Sequence, residues 1–362
     1  MSCVICIFSA GALTNPSGEA IHKRRRGRGA LFLKLVLLAF VCLPMWLKTA
    51  SAQPQPLREA PPIFIWGDLT PPGSEGLALQ ETIENNSNDP AKPDRNIRGV
   101  GRPSLVPFLP AKPNGVAIIV APGGSYTKLS YDNEGLSVAR RFTAEGFTVF
   151  ILKYRLPNEG HKVGRLVPLQ DAQRAIRVLR QDAARWHVDP ARIGILGFSA
   201  GGHLAAASGI DFARETYPAR DAIDAISARP DFMALLYGAA AFQPLTTATS
   251  GDESSVTHRA SGTLDAIRGD VPPAFIFAAA DDTRVPLSAN IALWQALRAV
   301  GVKAELHIVQ QGGHGFSLKE TAAESARSWP DLFLIWLRAI AIQSGGGAPS
   351  PGLARATPGV VQ

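Results

Sequence analysis

The chain predicts an α/β domain with a mostly parallel central sheet and helices on both faces. Three observations carry this. Short apolar runs of strand length recur from Val116 to Val309, as in strands buried on both faces. Segments of helical spacing alternate with them. A Ser, an Asp pair and a His then stand just past the ends of three of those runs, the carboxyl edge where such sheets place ligands.

In chain order, residues 1–52 read as a signal peptide. Lys23 to Arg28 form a basic stretch, Ala30 to Leu47 are mostly apolar, and Ala50-Ser51-Ala52 offers a small-residue cleavage site. Lys34 and Pro44 leave less clean apolar length than a spanning helix needs, so cleavage after Ala52 is expected, with no stable membrane anchoring afterwards. Export to the periplasm or beyond follows, by the general secretory or the twin-arginine route. This stretch holds seven of the 37 Lys and Arg residues but one of the 30 acids, so the net charge of +7 belongs to the leader. The remainder is near neutral, which argues against a nucleic-acid partner. Cys3, Cys6 and Cys42 are the chain's three cysteines and all lie in the leader. The rest therefore has no disulfide, thiolate nucleophile or Cys metal site.

Residues 53–96 are a Pro/Gly-rich extension, with a short edge strand at Ile63-Phe64-Ile65-Trp66 and loop over 71–96. The main domain is expected over 97–342. Its strands are expected at 104–110, 116–120, 147–152, 193–196, 232–237, 274–280 and 304–309. Helices are expected at 136–145, 171–186, 288–300 and 329–342, with another from Leu204. In the second of these, Arg174, Arg177 and Arg180 fall on the outward face. Residues 211–270 read as a variable loop or cap bordering the substrate pocket, and 343–362 as a disordered tail. His187 is read as a capping or surface residue and His258 as solvated.

The chemistry gathers at Gly197-Phe198-Ser199-Ala200-Gly201, between an apolar run and good helix formers. Strand, tight turn and helix expose a nucleophile. The turn strains the Ser backbone, and glycines two residues to either side avoid collisions. Taken alone, the motif also fits a Gly-rich turn with Ser199 as an N-cap. After Val120 come Pro122-Gly123-Gly124-Ser125. The N–H groups of Gly123, Gly124 and Ala200 are the candidate oxyanion donors. Serine needs a base, and a histidine base needs a carboxylate to orient it. His314, in Gly312-Gly313-His314-Gly315, and Asp282, at the head of Asp-x-x-Val-Pro, supply them. Asp281 is the alternative acid and otherwise caps its turn.

The order Ser199, Asp282, His314 completes the picture, and residues from about 97 to 342 resemble the α/β-hydrolase superfamily. Pro122-Gly123-Gly124-Ser125-Tyr126, Asp132-Asn133-Glu134-Gly135, Leu152-Lys153-Tyr154-Arg155-Leu156-Pro157, Asp282-Thr283-Arg284-Val285-Pro286 and Gly312-Gly313-His314-Gly315-Phe316 are similar to the secreted acetyl xylan or feruloyl esterases. These are kin to hormone-sensitive-lipase-like carboxylesterases. The lipase-like group has His-Gly-Gly-Gly where this chain has Pro122-Gly123-Gly124-Ser125, which pulls the reading toward carbohydrate esterases. The resemblance implies an α/β-hydrolase fold and a serine esterase with Ser199, His314 and Asp282 as its triad. It implies no metal and no organic cofactor. The substrate it implies is an acylated carbohydrate or small ester, foremost acetyl groups on xylan. The alternatives are a general short-chain carboxylesterase, a serine peptidase and, outside enzymes, a non-catalytic binding protein on the same fold. Glu134 and Arg155 are read as an internal ion pair rather than substrate ligands. The oligomeric state is left open.

Overall fold

The computed structural model describes residues 57–239 and 264–340. The leader with its cleavage site, residues 240–263 of the variable region with His258, and the tail from 341 lie outside them. The chain divides into Met1–Gln53 and Pro54–Gln362, and every described residue belongs to the second unit.

In chain order the strands are β1 (Arg58–Glu59), β2 (Ile63–Phe64), β3 (Thr82–Asn85), β4 (Arg95–Arg98), β5 (Ser104–Leu109), β6 (Ala117–Ala121), β7 (Leu129–Ser130), β8 (Thr148–Lys153), β9 (Ile193–Phe198), β10 (Phe232–Leu236), β11 (Ala274–Ala279) and β12 (Ala304–Val309). Among the described residues the α-helices are α1 (Ser137–Thr143), α2 (Val167–Gln181), α3 (Ala200–Ile210), α4 (Leu287–Ala299), α5 (Glu324–Arg327) and α6 (Trp329–Ala339). A nine-stranded sheet runs β1-β5-β8-β6-β9-β10-β11-β12, with β2 also on β5. From β8 to β12 every pairing is parallel, and β5 joins antiparallel.

Every residue of β6, β9, β10 and β11 is buried. Both faces are therefore covered, which is why these strands read as near-continuous apolar runs rather than alternating ones. Gly194 breaks the run in β9 because the Phe232 ring of the neighbouring strand occupies the space a side chain would need. α2 begins at Val167, with Pro168 in its first turn, where its missing N–H leaves no bond unmade.

Two expectations are corrected. The segment 71–96 is not all loop, because β3 pairs with β4 and β4 with β7 in a separate three-stranded antiparallel sheet. All four residues of β3 are exposed, so no burial pattern marks them in sequence. The edge strand expected at Ile63-Phe64-Ile65-Trp66 is present as β2, and with β1 it joins the main sheet on β5. Arg174, Arg177 and Arg180 do not face water freely. Arg174 is 2% exposed and binds Asp221 and Asp224, while Arg177 and Arg180 donate to the carbonyls of Ile226, Ser227 and Arg229. A polar segment lies over this face of α2, and guanidinium forks satisfy its carbonyls.

A buried polar cluster fastens the extension. Arg155 donates to Ser74 Oγ at 2.8 Å, so the Ser74 hydroxyl has its proton free for His161 Nδ1, 2.9 Å away. A neutral ring can take that proton at Nδ1. Burial, followed by the Arg155 charge, holds the His161 pKa below its ordinary value. The unfolded chain therefore takes up the proton first as pH falls below about 6.5, and stability is lost from there down through the folded pKa. Above that pH both states are neutral and the effect vanishes. Thermal melts between about pH 7.5 and pH 5 are expected to show a steeper acid loss for the wild type than for His161→Gln, whose amide oxygen accepts from Ser74 at every pH. Equal slopes would remove His161 as the cause.

Candidate active site

Ser199 sits between β9 and α3 with φ 51° and ψ −118°, a region that non-glycine residues rarely occupy. Its surroundings impose the turn. Ser199 N–H donates to the Leu236 carbonyl, and the Ser199 carbonyl accepts from His203 N–H, each at 3.0 Å. A Cβ on Gly197 would strike the Gly201 carbonyl, and one on Gly201 the Ala121 carbonyl. These two glycines let three backbone segments converge beneath the serine.

Ser199 Oγ lies 2.8 Å from His314 Nε2, and His314 Nδ1 lies 2.8 Å from Asp282 Oδ2. A carboxylate only accepts, so Nδ1 carries the ring proton and Nε2 receives the serine hydroxyl. The Asp282 side chain is 1% exposed and that of His314 is 14%. Backbone N–H groups of Arg284 and Val285 hold the second role of Asp282, both donating to Oδ1. Asp281 turns the other way and accepts from Gly312 and Gly313 N–H, at 2.9 and 2.7 Å. It clamps the histidine loop and does not touch the ring.

The glycine loop after β6 departs from expectation at one position. Gly123 N–H donates to Glu134 Oε2 at 2.8 Å, which removes it from the candidate oxyanion donors. Gly123 is required for closeness instead, since a Cβ there would press on the Phe198 carbonyl and come within 3.0 Å of Ser199 Cβ. Its carbonyl accepts from Ser130 N–H, and the Gly124 carbonyl from Thr127 N–H. In trans peptides the next N–H points opposite to each carbonyl. Gly124 and Ser125 therefore present their N–H groups away from the 127–130 arm. Ser125, with φ 57°, is a candidate donor that sequence reading missed. A non-glycine residue gives no signal of such a conformation. Ala200, at the first turn of α3, lies where helical N–H groups have no partner of their own.

Glu134 and Arg155 are not an ion pair. Arg155 pairs with Asp171 at 2.8 Å, both fully buried. Glu134, 6% exposed, accepts from Gly123 N–H and from the Tyr237 hydroxyl at 2.9 Å. Burial pushes its carboxyl above the ordinary range. The Tyr237 ring stands edge-on to His314 with centroids 5.0 Å apart. Among the described residues no cluster of three or more His, Cys, Asp or Glu side chains is placed to hold a metal ion, and no helix is long and apolar enough to cross a membrane.

The model of the BD-FAE family matches residues 108–297. An acetylxylan esterase of Xylanibacter ruminicola is 32% identical over 232 residues, 61% of this chain and 45% of the relative. The endo-1,4-beta-xylanase B of Butyrivibrio fibrisolvens is 27% identical over 56% of this chain and 32% of its own length. The chain thus spans less than half of either relative. Among solved structures, the acetyl ester-xyloside bifunctional hydrolase from Caldicellulosiruptor lactoaceticus superposes with a TM-score of 0.56 at 29% identity, covering 74% of this chain and 99% of its own. The carboxylesterase Cest-2923 from Lactobacillus plantarum shares the α/β-hydrolase fold, with a TM-score of 0.57 at 23% identity over 75% of this chain and all of its own.

Proposed function

We propose, from the premise that this chain belongs to the BD-FAE family, that it is a serine esterase removing short acyl groups, foremost acetyl, from plant polysaccharide such as xylan. The observation that carries the reading is the hydrogen-bonded line from Ser199 through His314 to Asp282, with both links at 2.8 Å. His314 Nε2 takes the hydroxyl proton as Ser199 Oγ attacks the acyl carbonyl. Asp282 holds the imidazolium that forms. The N–H groups of Gly124 and Ala200, joined by Ser125, meet the charge developing on the carbonyl oxygen. As the intermediate collapses, His314 returns the proton to the leaving sugar hydroxyl. Water then enters, loses a proton to the same nitrogen and attacks the acyl-enzyme, and His314 returns that proton to Ser199 Oγ as the acid leaves.

The acetyl and xylan parts of the proposal draw on the acetylxylan esterase relative and the acetyl ester-xyloside hydrolase neighbour. Such a polymer lies outside the cell, and the expected leader at 1–52 provides for export. Acetate release from acetylated xylan, assayed beside release from an aryl acetate, is the test. Release from both supports the full proposal. Release from the aryl ester alone would leave a general short-chain carboxylesterase and retire xylan.

A further inference from the structure

We infer that Glu134 is a positioning residue: its buried carboxylate fastens the glycine loop that offers oxyanion donors to the elements that carry the histidine base. The inference deepens the esterase reading above and rests on it.

Burying a carboxylate is costly unless its oxygens are satisfied. Among the described residues no Lys or Arg side chain pairs with Glu134. Its two oxygens instead take one donor each, from two different parts of the site. Oε2 accepts from Gly123 N–H and Oε1 from Tyr237. Tyr237 closes β10 with φ 42°, and its hydroxyl in turn accepts from Ser317 N–H at 3.2 Å. Ser317, three residues past His314, sends its own hydroxyl to the Asn133 carbonyl at 2.7 Å, next to Glu134. The Trp329 indole at the head of α6 holds the Ser317 carbonyl at 2.8 Å. Two segments far apart in sequence, at 123 and 237, thus meet on one carboxylate, and the segment at 317 is tied to them through the Tyr237 hydroxyl and the Asn133 carbonyl. Residues 132–136 form a π-type turn leading into α1, a backbone irregularity that re-aims side chains.

The geometric consequence concerns two places at once. Tying down the Gly123 N–H sets the peptide plane that precedes the Gly124 donor, while tying down Tyr237 sets the ring against which His314 packs. Without the carboxylate, the Gly123 N–H and the Tyr237 hydroxyl both lose their acceptor, and both are free to tilt. Oxyanion donors act through preorganisation, so tilt costs turnover more than substrate binding.

The test is steady-state hydrolysis of an aryl acetate by the full chain, with Glu134→Ala, Glu134→Gln, Tyr237→Phe and Ser199→Ala read beside the wild type. Glu134→Ala is expected to lose on the order of 10²-fold in kcat, the effect of one misplaced oxyanion donor, with KM held within about threefold. Glu134→Gln is expected to recover most of that, since its amide oxygen can still receive Gly123 N–H while its amide nitrogen donates to Tyr237. Tyr237→Phe keeps the Gly123 link and is expected to lose about tenfold in kcat. If Glu134→Ala fails to fold, the Gln and Phe variants decide by the same kcat-against-KM split. A variant whose melting temperature falls while its kcat stays at the wild-type value would reduce Glu134 to a packing role and overturn the inference. An inactive Ser199→Ala beside an unaltered Glu134→Ala would sink this inference alone. An active Ser199→Ala would sink the esterase mechanism, and the inference with it.

Discussion

Ser199→Ala is expected to lower kcat for an acetyl ester on the order of 10³-fold or more, with the melting temperature within a few degrees of the wild type. The two halves of that result have separate causes. Turnover falls because the acyl-enzyme cannot form, and the oxyanion donors and binding surface alone supply the residue of catalysis. Stability holds because the variant leaves no new buried polar group. His314 is 14% exposed, so water can replace the hydroxyl at Nε2. The strained backbone, at φ 51°, is no harder on alanine than on serine, since both carry a Cβ. The Ser199 N–H and carbonyl keep their bonds to Leu236 and His203. Steady-state kinetics beside a thermal melt read both quantities. Wild-type turnover in a folded Ser199→Ala would remove Ser199 as the nucleophile.

Asp171→Ala is expected to cost about 3–5 kcal/mol of folding free energy, a large part of the roughly 5–15 kcal/mol that holds a domain together. Asp171 lies in α2 and Arg155 just past β8, and both side chains are fully buried. The carboxylate takes the guanidinium through two nitrogens, the Arg155 N–H at 2.9 Å and the Trp66 indole at 2.8 Å. Removing it strands a positive charge and two N–H groups in the interior. The loss falls on more than one pair, because the same guanidinium also holds the Pro72 carbonyl and Ser74. The extension and the main sheet are joined there. A second variant separates the charge from the packing. Arg155→Met with Asp171→Leu removes both charges together, and it is expected to recover part of the loss, because paired removal spares the stranded ion. Denaturant titration of the two singles and the double gives the coupling. A loss under about 1 kcal/mol in Asp171→Ala would show that water reaches the site and screens the charge.

The parts legible in sequence have a common character. β6, β9, β10 and β11 announce themselves because burial on both faces writes a near-continuous apolar run. Gly197 and Gly201 are legible because the backbone itself fills the space of a side chain, so the requirement falls on single residues. Ser199, Asp282 and His314 are named by their places at strand ends, and the structure brings them within hydrogen-bonding distance of one another. In the sequence, only its place at the head of Asp-x-x-Val-Pro sets Asp282 above its neighbour Asp281. Their side chains leave opposite sides of one turn, and the fold sends Asp281 to the 312–313 backbone and Asp282 to the ring.

What failed to show in the sequence is partner choice among buried polar groups. Arg155 was matched with Glu134, but Asp171 stands beside it, and Glu134 serves Gly123 and Tyr237 instead. Arg174 has the spacing of a solvent-facing residue and lies beneath the 221–224 turn. β3 and β4 find each other without any apolar pattern. By itself, then, the sequence determined the alternation of strand and helix, the tight turn at Ser199 and the three polar side chains that the structure joins by hydrogen bonds. Each of these follows from apolar burial or backbone sterics, which act over a few neighbouring residues. The tertiary structure alone decided which buried charge meets which donor, because that depends on the distance and direction between segments scores of residues apart, and every acid in the chain offers the same two oxygens.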